Sequence, residues 1–154
     1  MIEMELARLL ISEVRPLQVI VLKEKAGARS FPIFIAPAEA WAISRGLQGE
    51  PFRRPLTHDL LVSVISSMGG QLERVVVCDL REEEKGQWTY YAKLAIRQDG
   101  RLVEVDSRPS DAIALATRTR SPIFVEEPVL EAAAKSEEEV PEEPGSAEEE
   151  EPEP

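Results

Sequence analysis

Residues 90–106 leave this chain little freedom in local structure. Tyr90, Ala92, Leu94 and Ile96 alternate with Tyr91, Lys93, Ala95 and Arg97, and Leu102-Val103-Glu104-Val105 follows after Asp99-Gly100. A period of two puts each set on its own face of a strand. Asp-Gly is a favoured two-residue hairpin turn, because the turn needs positive φ at both central positions. The turn then sets the register. Ile96 faces Val103, Leu94 faces Val105 and Lys93 faces Asp106, so one face is apolar on both strands. The second strand runs into Arg108-Pro109, and a helix follows from Ser110 to Thr119.

The rest of the chain reads around this hairpin. Alternation of Ile2, Met4 and Leu6 with Glu3 and Glu5 predicts a strand over residues 1–14. Leu17–Lys23 and Phe31–Ile35 are two more strands, joined through Ala26-Gly27-Ala28. Pro37 suits the first turn of a helix that ends near Gly49. Thr57 is the expected N-cap of the next helix, with Asp59 in its first turn. Leu60, Leu61, Val64, Ile65 and Met68 follow at helical spacing, and Gly69-Gly70 closes it. Leu72–Leu80 reads as a buried strand, and the charged run Arg81–Lys85 with Gly86 as a loop. Pro122–Val125 is a short strand and Pro128–Lys135 a last helix. The order β-β-β-α-α-β-β-β-α-β-α predicts an α+β fold: one compact domain with a mixed, mostly antiparallel sheet and three to four helices.

Charge sets the boundaries of that domain. The 154 residues carry a net −11. From Ser136 to Pro154, however, there are ten glutamates, four prolines and no Lys or Arg. Such a segment cannot bury enough apolar surface to offset its ordering entropy. Residues 136–154 are therefore expected to be a disordered tail, available to a protein partner, and residues 1–135 the domain. Without the tail's glutamates the charge is nearly balanced, so no broad positive field marks a tight nucleic-acid binder.

Cys78 is the one cysteine and His58 the one histidine. That rules out an intrachain disulfide and a Cys/His zinc site within one chain. Cys78, within Val75-Val76-Val77-Cys78, reads as a small buried residue. Glu3, Glu5 and Arg8 in the opening segment fit neither a signal peptide nor a membrane span, so a cytoplasmic protein is expected. The absence of asparagine and the 31% charged residues fit a thermophilic source. An exposed sheet edge predicts a homo-oligomer.

Two polar motifs stand out, each an Arg-Pro pair leading into a helix. One is Arg53-Arg54-Pro55-Leu56-Thr57-His58-Asp59-Leu60, the other Asp106-Ser107-Arg108-Pro109-Ser110-Asp111-Ala112-Ile113-Ala114-Leu115. Together with Pro122-Ile123-Phe124-Val125 they resemble the bifunctional nuclease domain family, and the likeness covers nearly all of residues 1–130. Members of that family are compact α+β domains, and some degrade both RNA and DNA. The resemblance thus implies phosphodiester hydrolysis with a nucleic-acid substrate.

A nuclease must stabilise charge on a phosphoryl group and position a nucleophile. Asp106 and Asp111 are the candidate ligands of a divalent cation such as Mg²⁺, which needs few protein ligands. Asp59 is a further candidate for handling metal or water. His58 is the candidate general base or acid. Arg53, Arg54, Arg108 and Ser110 are the candidate substrate contacts, with arginine suited to bidentate phosphate binding.

Each role has a structural competitor. Asp106 can pair with Lys93 across the hairpin, Ser110 and Asp111 can cap a helix, and Arg108 can anchor its turn through Asp111. His58 can be an exposed first-turn side chain, and Trp41 and Trp88 read as packing residues. If the competitors hold, the chain is a non-catalytic interaction or regulatory domain whose polar motifs are fold determinants.

Overall fold

The computed structural model describes residues 1–138. Its elements are β1 (Ile2–Leu10), β2 (Gln18–Glu24), β3 (Ser30–Ile35), α1 (Pro37–Gln48), α2 (Thr57–Ser67), β4 (Gly70–Glu84), β5 (Gln87–Gln98), β6 (Arg101–Ser107), α3 (Pro109–Thr119), β7 (Ile123–Val125) and α4 (Glu127–Glu138). The order is the expected one, and the class is α+β. Helix α4 continues three residues past the expected domain end at 135. The rest of the expected tail, 139–154, lies outside the described residues.

The seven strands form one sheet in the order β3-β2-β1-β7-β4-β5-β6. All neighbours are antiparallel except β4 and β7. The sheet is strongly curled. In a flat sheet β3 and β5 would lie five strand spacings apart, about 24 Å. Instead the rings of Phe31 on β3 and Tyr90 on β5 stack with centroids 5.6 Å apart. Three register shifts along β4, between Leu72 and Arg74, Val77 and Asp79, and Glu82 and Glu84, supply local bends. The curl encloses Ile20, Leu22, Phe31, Val75, Val77, Ile113, Leu115 and Leu130, all nearly solvent-free.

The hairpin register holds residue for residue: Ile96 faces Val103, Leu94 faces Val105 and Lys93 faces Asp106. Asp99 (φ 48°) and Gly100 (φ 73°) both take the left-handed conformation the turn demands. The apolar face is only half covered, however. Leu94 is buried, while Val103 and Val105 on the edge strand β6 are exposed. Lys93 forms its ion pair diagonally with Glu104 at 3.2 Å and not with the directly opposed Asp106.

Four local expectations need correction. The first strand stops at Leu10, because residues 11–17 fold back onto the buried Gln18. The Gln18 side chain accepts from the Ser12 N–H and donates to the carbonyls of Ser12 and Arg15. Residues 81–84 are strand and not loop. Their charges pair along a ribbon, with Arg81 bound to Asp79 at 2.5 Å and lying over the Tyr91 ring, and only Lys85-Gly86 turns. Cys78 is half-buried, with its thiol 3.5 Å from the Tyr91 carbonyl. Trp41 and Trp88 are both more than half exposed, so packing does not account for them.

Helices α1 and α3 pack closely enough to require a glycine. A Cβ on Gly46 would collide with the Thr117 hydroxyl and crowd Arg118. Gly46→Ala is therefore expected to destabilise the domain by about 1–3 kcal/mol through overpacking. The urea midpoint should fall with an unchanged slope; a midpoint equal to wild type would mean the two helices are not in this contact.

Candidate functional site

Both polar motifs open a helix, though not with the caps expected. Thr57 is the first helical residue and Leu56 the cap position. Leu56 has no side-chain acceptor, and the Asp59 Oδ2 carboxylate oxygen instead accepts the Leu56 N–H at 2.9 Å. Helix α3 begins at Pro109, whose missing N–H is no loss at that position. Arg108 holds its cap position, and Ser110 is buried against the fold.

One buried arginine sets these helix starts against each other. Arg118, in the last turn of α3, is only 9% exposed. Its Nε donates to Asp59 Oδ1 on α2 at 2.7 Å, and Nη1 donates to the Ala42 carbonyl of α1 at 2.9 Å and to the Ala114 carbonyl at 2.8 Å. Three helices are thereby tied to one guanidinium.

The tie brings His58 to α3. His58 Nε2 donates to Asp111 Oδ1 at 2.9 Å. An ionised carboxylate can only accept, so Nε2 carries the proton of this bond. Asp111 Oδ2 accepts from Arg108 Nε at 2.9 Å, and Arg108 Nη1 donates to Glu39 Oε1 on α1 at 2.7 Å. His58, Asp111, Arg108 and Glu39 thus form one hydrogen-bonded line drawn from three helices. Glu39 Oε2 is buried and has no hydrogen-bond partner among the described residues.

These contacts govern the charges. Burial alone would raise the Asp111 carboxyl, but the hydrogen bonds from His58 and Arg108 outweigh it and hold it below the usual aspartate value. Asp59 is likewise pushed up by burial and brought below its ordinary value by Arg118 and the Leu56 N–H. Asp111 and then Glu39 raise the Arg108 guanidinium further, so it stays charged.

The line borders an open groove of about 810 Å³ between α2 and the β5–β6 hairpin. His58, Asp106, Arg108 and Asp111 make its polar end. Leu61, Ile65, Leu94 and Val105 make its apolar wall. The charged lining is Glu39, Asp106 and Asp111 against Arg108 and Arg118, so carboxylates are in excess by one.

The candidates from the two motifs divide in three. His58, Asp106, Arg108 and Asp111 meet in the groove. Asp59 lies beside it with both oxygens engaged, and Ser110 is buried next to it. Arg53 and Arg54 are exposed on the 49–56 loop. Two site residues escaped the sequence reading. Glu39 sits two residues after Pro37, as Asp111 sits two after Pro109, and that repeated spacing was its signal. Arg118 carried none, since a base in a last helical turn reads as a complement to the helix dipole.

Of the two expected cation ligands, Asp111 has both oxygens in use. Asp106 makes no hydrogen bond or ion pair among the described residues. Its free carboxylate, in a groove with excess negative charge, fits a hydrated Mg²⁺, which keeps several waters and takes one or two carboxylates. Among the described residues no three His, Cys, Asp or Glu side chains gather into a metal-binding group.

Comparison with known proteins adds a family. The model of the Bifunctional nuclease domain matches residues 20–138. Two proteins of Mycobacterium tuberculosis, Uncharacterized protein MT1877 of strain CDC 1551 / Oshkosh and Uncharacterized protein Rv1829 of strain ATCC 25618 / H37Rv, are each 43% identical to this chain over 112 residues. The match covers 73% of this chain and 63% of either relative. No helix among the described residues is long and apolar enough to cross a membrane.

The depressed carboxyls make stability depend on acid. A carboxyl held below its unfolded value stabilises the fold above about pH 4, and that contribution disappears as pH falls through the folded value. Asp111→Asn should flatten the acid limb of a urea-midpoint profile, and Asp59→Asn should do so independently. An acid limb identical to wild type in both variants would contradict the ion pairs. Arg118→Met should cost about 2–3 kcal/mol, because it leaves Asp59 and the Ala42 carbonyl without their donor.

Proposed function

We propose that this chain, which belongs to the bifunctional nuclease domain family, hydrolyses phosphodiester bonds of RNA and DNA in the groove between α2 and β6. The observation that carries the reading is the 2.9 Å bond from His58 Nε2 to Asp111, with the imidazole lining that groove. A carboxylate that fixes the tautomer and orientation of an imidazole is a recurring arrangement for a general base. The chain spans 63% of the length of the curated relatives it matches, so the activity proposed is that of this domain.

DNA lacks the 2′-hydroxyl, so a nucleophile common to both nucleic acids cannot be that group, and water is the one we assign. His58 Nδ1, the nitrogen not bonded to Asp111, takes a proton from that water as its oxygen bonds to phosphorus; the P–O bond to the leaving sugar oxygen breaks, that oxygen takes a proton from solvent, and Asp111 stabilises the imidazolium that results. Arg108 has five N–H donors, of which contacts to Asp111 and Glu39 use three. The remaining donors, on a side chain 64% exposed, are available to a phosphate oxygen. Asp59 and Arg118 act as positioning residues that hold α2 against α3. Asp106 would hold a hydrated Mg²⁺, which would supply the positive charge that a polyanion needs in a groove with excess carboxylate. The exposed Leu60, Val64 and Met68 of α2, which do not line the groove, offer a homo-oligomer its contact surface.

The engagement of Asp59, Asp111, Arg108 and Arg118 in ties between helices favours a competing reading, that of a non-catalytic domain. Labelled single-stranded RNA and DNA, incubated with the full chain in Mg²⁺ or in EDTA, separate the two. Cleavage of both, its loss in EDTA, and a fall of about a hundredfold or more in His58→Ala, assayed where circular dichroism shows that variant still folded, are expected. Asp106→Asn should lose the response to Mg²⁺. Equal cleavage by every variant would reveal a contaminant, and no cleavage by folded wild type would leave the non-catalytic reading.

A further inference from the structure

The aromatic residues around the α1–α2 connection remain unexplained by the fold. Trp41 on α1 is 51% exposed and Phe52 on the 49–56 loop 40%. Their ring centroids lie 6.1 Å apart, with the planes at 59°. Arg45, one turn after Trp41, sits over both, its Cζ 4.2 Å from the Phe52 centroid and 5.7 Å from that of Trp41. A cluster built only to pack would turn these faces inward. This one leaves about half of each ring in water and takes its stacking from a cation.

Its surroundings are cationic. Residues 41–56 hold Arg45, Arg53 and Arg54 against Glu50 alone. Arg45 donates through Nη1 to Gln48 at 2.9 Å. Arg53 and Arg54 are exposed and make no hydrogen bond or ion pair among the described residues. The groove beside them has the opposite bias, with carboxylates in excess. Trp41 belongs to both places, because it also lines the groove with His58.

We propose that Trp41, Arg45 and Phe52, with Arg53 and Arg54, form a binding shelf for unpaired bases and their phosphates, leading a single strand of nucleic acid into the His58 groove. Arginines meet phosphates wherever a polyanion lies, but exposed aromatic faces gain only from bases free of a duplex stack. A single strand presents both chemistries at once. It also eases the electrostatic conflict of the groove, since the shelf adds cationic attraction to what Arg108 offers at the catalytic end. The inference rests on the nuclease reading for its substrate class, although it concerns binding.

The test therefore reads binding apart from cleavage. The chain contains two tryptophans, so Trp88→Phe leaves Trp41 as the fluorophore. This protein, carrying His58→Ala and kept in EDTA, is titrated with ten-nucleotide oligo-U, oligo-dT, a duplex of equal length and inorganic polyphosphate. Both single strands should quench Trp41 and bind about tenfold or more tighter than the duplex, and polyphosphate should bind without quenching. Followed by anisotropy of a labelled oligonucleotide, Trp41→Ala and Phe52→Ala should each weaken binding about tenfold, and Trp41→Phe should restore most of it. Arg53→Gln and Arg54→Gln should weaken all anionic probes and flatten the salt dependence. Unchanged emission at saturating oligonucleotide, or equal affinity in Trp41→Ala, would overturn the shelf. If His58-dependent cleavage persists with unaltered KM in Trp41→Ala, the shelf falls and the nuclease stands. If Trp41 is quenched but no strand is ever cut, the shelf stands and the nuclease falls.

Discussion

The arrangement depends on the buried guanidinium of Arg118. Helix α2 has no buried residue of its own, although Leu60, Leu61, Val64 and Met68 would suit a core. Val62 and Ile65 are only partly buried, Val62 against the core, so hydrophobic burial alone fixes its position weakly. Asp59 holds it, through the 2.7 Å bond to Arg118, while the same guanidinium reaches a carbonyl of α1. A buried cation without partners is costly, so the helices are driven to the geometry that satisfies it. His58 follows Thr57 at the start of the helix so positioned, and this is why it comes within hydrogen-bonding distance of Asp111.

Structure and chemistry are thus shared by the same groups. Asp111 orients His58 and anchors Arg108, and Arg108 in turn ties α3 to Glu39 on α1. The hydrogen-bonded line holds each member in place, which is the preorganisation a catalytic group needs. The same line leaves the groove with more carboxylate than guanidinium. The positive charge of this face lies beside the groove, on Arg45, Arg53 and Arg54.

Much of this was legible in the residues. Alternation and the Asp99-Gly100 turn set the β5–β6 register, because a two-residue turn admits one pairing and a slip would reverse every side chain. Helix starts were marked by proline and acidic residues. The misreadings share a cause. Arg81–Glu84 looked like a loop because charge was taken for solvation, yet cross-strand and along-strand partners let a charged ribbon remain strand. Thr57 and Ser110 looked like caps because cap chemistry is local, whereas an aspartate three residues on from Leu56 satisfied the first helix start. Trp41 looked like core because nothing local reports how much of a ring will be covered.

The sequence by itself determined the element order, the hairpin register and the two helix-opening motifs, since each depends on interactions within a few residues. Only the tertiary structure decided that the two motifs share one groove, that Glu39 and Arg118 belong with them, and that β3 curls round to meet β5. Those outcomes rest on contacts between residues 50 to 100 positions apart, such as His58 with Asp111 and Arg108 with Glu39. Such contacts form only where the packed helices bring opposite charges together out of water, and no local pattern encodes that meeting.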